Sequence, residues 1–245
     1  MSRTFRAFVF DDHLPRDGTI TLTGEESHHL HKVLRIEVGK EVEAINGRGV
    51  VWRTEVVDAG DRSSVLRILD KRNIEPAPVS FEMAVAIPKG GRMDDVVRQL
   101  TELGISTICP LVTERSEVGG LLERVETKLE KWERIAIQAC KQSGNPWLPV
   151  IRKPLSFEKW SEQLSGNSVR LLGSLVPEAK FISSFSRSEV VEVAIGIGPE
   201  GGFSQLEQEV AKMVGFTPVR FGPHVLRVET AAVCALAVAQ EIFGL

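Results

Sequence analysis

Over roughly the first seventy residues, apolar and polar positions alternate in short β-branched runs: Phe5–Phe10, Thr19–Leu22, Glu41–Ile45, Val50–Val57 and Ser64–Leu69. A period of two predicts half-buried strands. Asn46-Gly47 between two of these runs is a hairpin signal, and Ala59-Gly60-Asp61 marks a second turn. One stretch breaks the alternation, Gly24 to Leu34, where Leu30, Val33 and Leu34 fall at helical spacing. The pattern predicts a small β-barrel over residues 1–72. Asn73 to Pro78 carries two prolines and no periodicity, which reads as a linker over residues 73–79.

From residue 80 to 245 strands alternate with helices, the signature of an α/β layer fold. Phe81–Ile87, Ile105–Leu111, Val169–Leu172, Val190–Ile197 and Val219–Phe221 read as strands. Val190–Ile197 is nearly all apolar at its far end and is expected at the sheet centre. Met93–Leu103 is an amphipathic helix closed by Gly104, and Lys128–Lys141 and Phe157–Leu164 are further helices. Ser204 with Glu207 forms a capping box for a helix ending at Gly215, and Thr230–Phe243 is a final helix, apolar all round. Such a helix must be buried, and a second copy of the chain is one way to bury it.

Composition narrows the class. With 42% hydrophobic and 26% charged residues, the 245-residue chain can build real cores and is not expected to be disordered. The net charge of −3 argues against a strongly basic, nonspecific nucleic-acid binder. Residues 1–72 are relatively more basic than the rest, and four of the five histidines fall there. Cys109, Cys140 and Cys234 lie far apart with no CxxC pair, so neither a disulfide framework nor a metal site is expected. Met1 to Phe10 lacks the apolar run of a signal peptide, and Ala231 to Ala239 is too short to span a bilayer. A cytoplasmic protein without membrane partners is the expectation.

Two loops carry candidate chemistry. Gly196-Ile197-Gly198-Pro199-Glu200-Gly201 matches the dinucleotide fingerprint in its strand-to-helix context. A nicotinamide nucleotide is disfavoured, because no acid stands about 20 residues on to take a ribose and Glu200 would repel a pyrophosphate. Glycines at a strand's carboxyl end still let main-chain amides approach a nucleoside-like ligand. The second loop, Phe221-Gly222-Pro223-His224-Val225-Leu226-Arg227-Val228-Glu229-Thr230-Ala231, puts a cation and an anion close together at a neighbouring strand end.

At these residues the chain resembles the bacterial 16S ribosomal RNA uridine-N3 methyltransferases of the SPOUT superfamily, the RsmE family. The resemblance runs nearly the whole length. It includes His28-His29-Leu30 with Val33-Leu34-Arg35, Lys89 with Arg92-Met93-Asp94, Thr101-Glu102-Leu103-Gly104, Pro110, Glu114-Arg115-Ser116, Ile197 to Phe203 and Leu226 to Ala231. It implies a PUA-like RNA-binding β-barrel followed by a knotted methyltransferase domain with a C-terminal trefoil knot, which general topology rules would not suggest. It also implies a homodimer, S-adenosylmethionine as cofactor, and a uridine in the decoding region of the small ribosomal subunit as target. The cofactor loops would be Leu172-Gly173-Ser174, then Ile197, Gly198, Glu200, Gly201 and Gly202, then Phe221, Gly222, Val225, Leu226, Thr230 and Ala231. Two departures from the family pattern stand out: Lys141 before Gln142-Ser143, where an acid is common, with Asn145 in place of an arginine, and His224 where arginine is frequent.

Methylating uridine N3 requires loss of its proton to a base, or a cation to stabilise the anion. Arg227 is the first choice for the cation. Glu229 is a base, an orienting partner, or simply an N-terminal helix acid. Arg3, Arg6, His28, His29, Lys32, Arg35, Lys89, Arg92 and Arg115 are the candidate RNA contacts, because phosphate binding needs distributed cations. A ribose 2′-O methyltransferase of the same superfamily, and a noncatalytic RNA-binding assembly protein, stay open as alternatives.

Overall fold

The computed structural model describes residues 4–116, 124–185 and 190–244. Arg3, a candidate RNA contact, lies outside the described residues. The chain divides into two units, Met1–Pro76 with Ile137–Leu148, and Ala77–Ala136 with Pro149–Leu245.

The first unit holds β1 (Arg6–Phe8), β2 (Thr19–Thr23), α1 (Gly24–His28), β3 (Glu41–Ile45), β4 (Val50–Ala59) and β5 (Ser63–Asn73). They form a curled five-stranded sheet in the order β1-β3-β4-β5-β2, with β1 parallel to β3 and every other pair antiparallel. Register shifts along β4 and β5 bend the sheet, as bulges do. The period-two alternation is visible in the packing. Ala7, Val9, Val42 and Ala44 enter one core with Ile20, Leu22, Leu30 and Leu66, whereas Phe8, Ile45 and Val51 enter a second with Ile137, Cys140 and Leu148. At the β3–β4 turn Gly49 has φ +82°, and an added Cβ would sit 2.4 Å from the Trp147 ring, so glycine is required there. The helix read as Gly24–Leu34 widens after α1 into a π turn, His29–Val33.

The second unit holds β6 (Ser80–Ala86), α2 (Met93–Glu102), β7 (Thr107–Val112), the start of α3 (Val125–Ser143), β8 (Val150–Ile151), β9 (Leu155–Ser156), α4 (Phe157–Ser161), β10 (Val169–Gly173), β11 (Lys180–Phe181), β12 (Glu192–Ile197), α5 (Gln205–Met213), β13 (Thr217–Arg220) and α6 (Val228–Ala239). Its strands run in the order β11-β13-β10-β12-β6-β7-β8, all pairs parallel, with β9 also on β7. β12 lies centrally and is buried almost throughout, as its apolar run predicts. Helix α2 buries Met93, Val96, Val97 and Leu100 on one stripe. It ends with Gly104 N–H on Thr101 O and Ile105 N–H on Leu100 O, the paired bonds that satisfy terminal carbonyls. Ser204 and Glu207 form the expected reciprocal capping box on α5. The final helix begins at Val228 rather than Thr230, because Arg227 occupies the capping position, so Glu229 sits in its first turn rather than on a loop. No helix among the described residues is long and apolar enough to cross a membrane.

Candidate active site

Three strands side by side, β13, β10 and β12, end at Arg220, Gly173 and Ile197, and the loops leaving them enclose a cavity of about 470 Å³. Ligands of open parallel sheets settle outside the carboxyl ends of strands in this way. The floor is Leu172, Gly173 and Ser174, with Ser174 N–H bonded to Val219 O at 2.9 Å. One wall is the glycine loop Ile197, Gly198, Glu200, Gly201 and Gly202, folded by a bond from Gly202 N–H to Pro199 O at 2.8 Å. Gly202 has φ +69°, a conformation that favours glycine, and a Cβ on Gly198 would stand 3.0 Å from the Phe203 ring. The other wall is Phe221, Gly222, Val225, Leu226 and, from the first turns of α6, Ala231. Thr230, also proposed from sequence, is exposed and does not line the cavity.

The lining includes residues that sequence reasoning missed, among them Phe203, Gln208 and Arg220. Arg220 is the last residue of a strand and belongs to no motif, so no local signal pointed to it. Arg115, proposed for RNA, lines the cavity and donates Nη1–H to Gly201 O at 2.7 Å.

Of the two proposed catalytic residues, neither lines the cavity wall. Arg227 is exposed at the start of α6, its carbonyl accepting from Ala231 N–H at 2.8 Å. Glu229 is mostly buried, and its Oε2 is buried without a hydrogen bond. Arg92, proposed for RNA, stands between the acids of the two motifs: its Nη1 lies 3.5 Å from Glu200 Oε1 and 3.9 Å from Glu229 Oε2. Lys89 is exposed just before α2.

In the first unit, Lys32 and Arg35 are exposed, and Arg35 is held at φ +51°, unusual for a residue with a side chain. His28 Nδ1 pairs with Asp61 Oδ1 at 2.8 Å, and this hydrogen bond holds the Asp61 carboxyl below its ordinary range. His29 is half-buried. Burial first, then the Lys141 ammonium, lower its pKa. Arg6 departs from its proposed role. Its Nε binds Glu43 at 2.9 Å and its Nη1 donates to the carbonyls of Lys141 and Gln142 at 3.2 and 3.4 Å, so it caps the end of α3 rather than facing solvent. Lys141, one of the family departures, donates to Glu26 Oε1 at 2.6 Å, and both side chains are 5% exposed. Glu26 Oε2 accepts Phe8 N–H at 2.7 Å, so the buried carboxylate is satisfied on both oxygens.

The Cys109 and Cys140 thiols are buried and pushed up to about 12 by desolvation, which leaves them unreactive at neutral pH. Among the described residues no cluster of three or more His, Cys, Asp or Glu could hold a metal ion.

A parallel α/β layer with a nucleoside-sized cavity at three adjacent strand ends, in a chain that also carries a small curled sheet, fits an enzyme with a nucleoside-like ligand. Comparison with known proteins agrees. Residues 75–240 match the model of an RNA methyltransferase domain, and residues 22–69 that of an RNA methyltransferase PUA domain. The ribosomal RNA small subunit methyltransferase E of Synechocystis sp. is 34% identical over 90% of this chain and 72% of its own length. That of Buchnera aphidicola is 28% identical over 98% and 94%. A methyltransferase from Legionella pneumophila solved with S-adenosylmethionine superposes with a TM-score of 0.88 at 31% identity, covering 99% of both chains. The Neisseria gonorrhoeae ribosomal RNA small subunit methyltransferase E, solved with the same cofactor, gives 0.88 at 25% identity and the same coverage. The chain belongs to the RNA methyltransferase family, in the branch named ribosomal RNA small subunit methyltransferase E, the RsmE family.

Proposed function

We propose that the protein transfers a methyl group from S-adenosylmethionine to N3 of a uridine in the decoding region of 16S ribosomal RNA, in the cytoplasm. The observation that carries this reading is the glycine-walled cavity at the ends of β10, β12 and β13, built from the loops that the family resemblance assigns to the cofactor. The residues fit the group: apolar side chains such as Leu172, Ile197 and Leu226 suit a purine, and exposed main chain at Gly201 and Gly222 lets amides and carbonyls reach its polar edge. Bound there, the cofactor supplies an electrophilic methyl on a sulfonium.

The protein's own part is orientation, proton removal and charge stabilisation. Holding donor and acceptor in line makes the reaction effectively unimolecular. Glu229 is the acceptor of the N3 proton, since its Oε2 is desolvated and has no hydrogen bond to lose. Arg92 holds Glu229 and Glu200 in place from a third segment. Arg227, exposed beside Glu229 in sequence, is the cation for the charge that spreads onto O2 and O4 of the deprotonated base. Lys32, Arg35 and His28 in the first unit, and Lys89 in the second, are the RNA contacts.

Two further features complete the reading. The segment after β12 is threaded as the trefoil knot of the SPOUT superfamily. The chain acts as a homodimer, because α6 buries Val228, Ala232, Ala235, Leu236 and Ala239 and leaves Ala231, Val233, Cys234, Ala237 and Val238 at least partly exposed. Primer extension tests the product. A methyl on N3 blocks Watson–Crick pairing, so reverse transcriptase is expected to stop one nucleotide before a single site in 16S RNA, and the stop vanishes when the gene is deleted. A stop unchanged by deletion removes the assignment, and loss of a ribose 2′-O mark instead selects the rival activity.

A further inference from the structure

The charged groups that line the cavity are not equally occupied. Arg115 is bonded to the glycine loop through Gly201 O, and Glu200 faces Arg92. His224 stands exposed at the rim. Arg220 has no ion-pair or hydrogen-bond partner among the described residues, and its Nε is buried without an acceptor. A buried N–H left unsatisfied costs free energy that a native fold rarely tolerates without a reason.

The placement of Arg220 is nonetheless rigid. It ends β13, which is hydrogen-bonded to β10 on one side and to β11 on the other, with Phe181 directly opposite Arg220. Its guanidinium carbon lies 4.2 Å over the Phe181 ring. Stacking on an aromatic ring uses the face of the guanidinium and leaves the N–H edge free to donate. A preorganised, unpaired cation at the wall of a cavity suits a carboxylate, through charge-assisted hydrogen bonds.

We propose that Arg220 holds the α-carboxylate of the methionine moiety of S-adenosylmethionine. The proposal rests on the cofactor reading above. The carboxylate is the one anionic group of that cofactor, and Arg220 is the one lining cation among the described residues that is both buried at its donor and unpaired. Arg220 thereby sets specificity for a ligand that carries the amino-acid carboxylate over one that merely carries adenosine.

Calorimetry with two ligands isolates this contact. S-adenosylmethionine and its decarboxylated form share the adenosine, the sulfonium and the ammonium and differ in the carboxylate. For Arg220→Met, which keeps an apolar stem against Phe181, affinity for S-adenosylmethionine is expected to fall about 10- to 100-fold, the usual scale of a charge-assisted hydrogen bond. Affinity for the decarboxylated form is expected to stay within about twofold, which also shows that the variant is folded. Arg220→Lys should recover part of the loss, since it restores the charge without the planar fork. Equal losses for both ligands, or none for either, overturn the proposal. So does a variant that binds both normally and loses only RNA affinity, which makes Arg220 a phosphate contact. Wild-type protein that binds neither ligand overturns the cofactor reading itself, and the proposal with it.

Discussion

The two units each hold an acid–base pair bridging distant parts of the chain, and the pairs are built oppositely. Glu26–Lys141 is direct at 2.6 Å, almost fully buried, and complete, because the other carboxylate oxygen is taken by Phe8 N–H. Arg92 with Glu200 and Glu229 is long, half-exposed at the arginine, and leaves Glu229 Oε2 buried without a hydrogen bond. A closed pair of the first kind has no capacity for chemistry, and its desolvation is tolerable only because both partners are satisfied. The second kind keeps an acceptor in reserve beside a cavity. Under the proposed function, the difference separates a structural ion pair from one poised to act, a distinction that residue type alone does not make.

The sharpest way to break the comparison is to remove one member of the closed pair. Lys141→Met leaves Glu26 buried and uncompensated, and urea denaturation should show a loss of about 3–5 kcal/mol. Adding Glu26→Gln should recover a large part of it. If the single variant is as stable as wild type, the pair is not a closed structural element.

In the open pair the effect should fall on rate instead. Glu229→Gln is expected to lower kcat for methyl transfer about 100-fold or more, while the calorimetric Kd for S-adenosylmethionine changes less than about threefold. Arg92→Ala should cost under about 1 kcal/mol of stability, since its contacts are partly solvent-screened, yet lower kcat by about tenfold. A variant that loses cofactor binding and rate together would make Glu229 a binding residue.

The closed pair also has a pH signature through His29. Its folded pKa lies below the unfolded 6.5, so the native state resists protonation. The associated stability is present above pH 6.5 and is lost as pH falls toward the folded value. Urea midpoints at pH 7.5 and 5.5 should differ less in His29→Gln than in wild type. The smallest effect concerns the thiols: Cys109 and Cys140, buried and both pushed up to about 12, should resist alkylation in native protein at pH 8 and react only after urea unfolding.

What the sequence alone determined was whatever depends on near neighbours. The alternation in β3 and β4, the capping box at Ser204 and Glu207, the central place of β12 and the glycine loop all follow from local periodicity or turn chemistry, and all stand where they were read. The family motifs marked the two loops that line the cavity. The tertiary structure decided what depends on residues far apart in the chain. It gave Ile137–Leu148 to the first unit, turned Arg6 from a surface cation into a cap for α3, and explained Lys141 by a carboxylate 115 positions away. It also drew Arg92 between Glu200 and Glu229 and brought Arg220 to the cavity from a strand end without a motif. The two-residue strands β8, β9 and β11 escaped for the same reason, since so short a segment becomes a strand only through the neighbour that pairs with it.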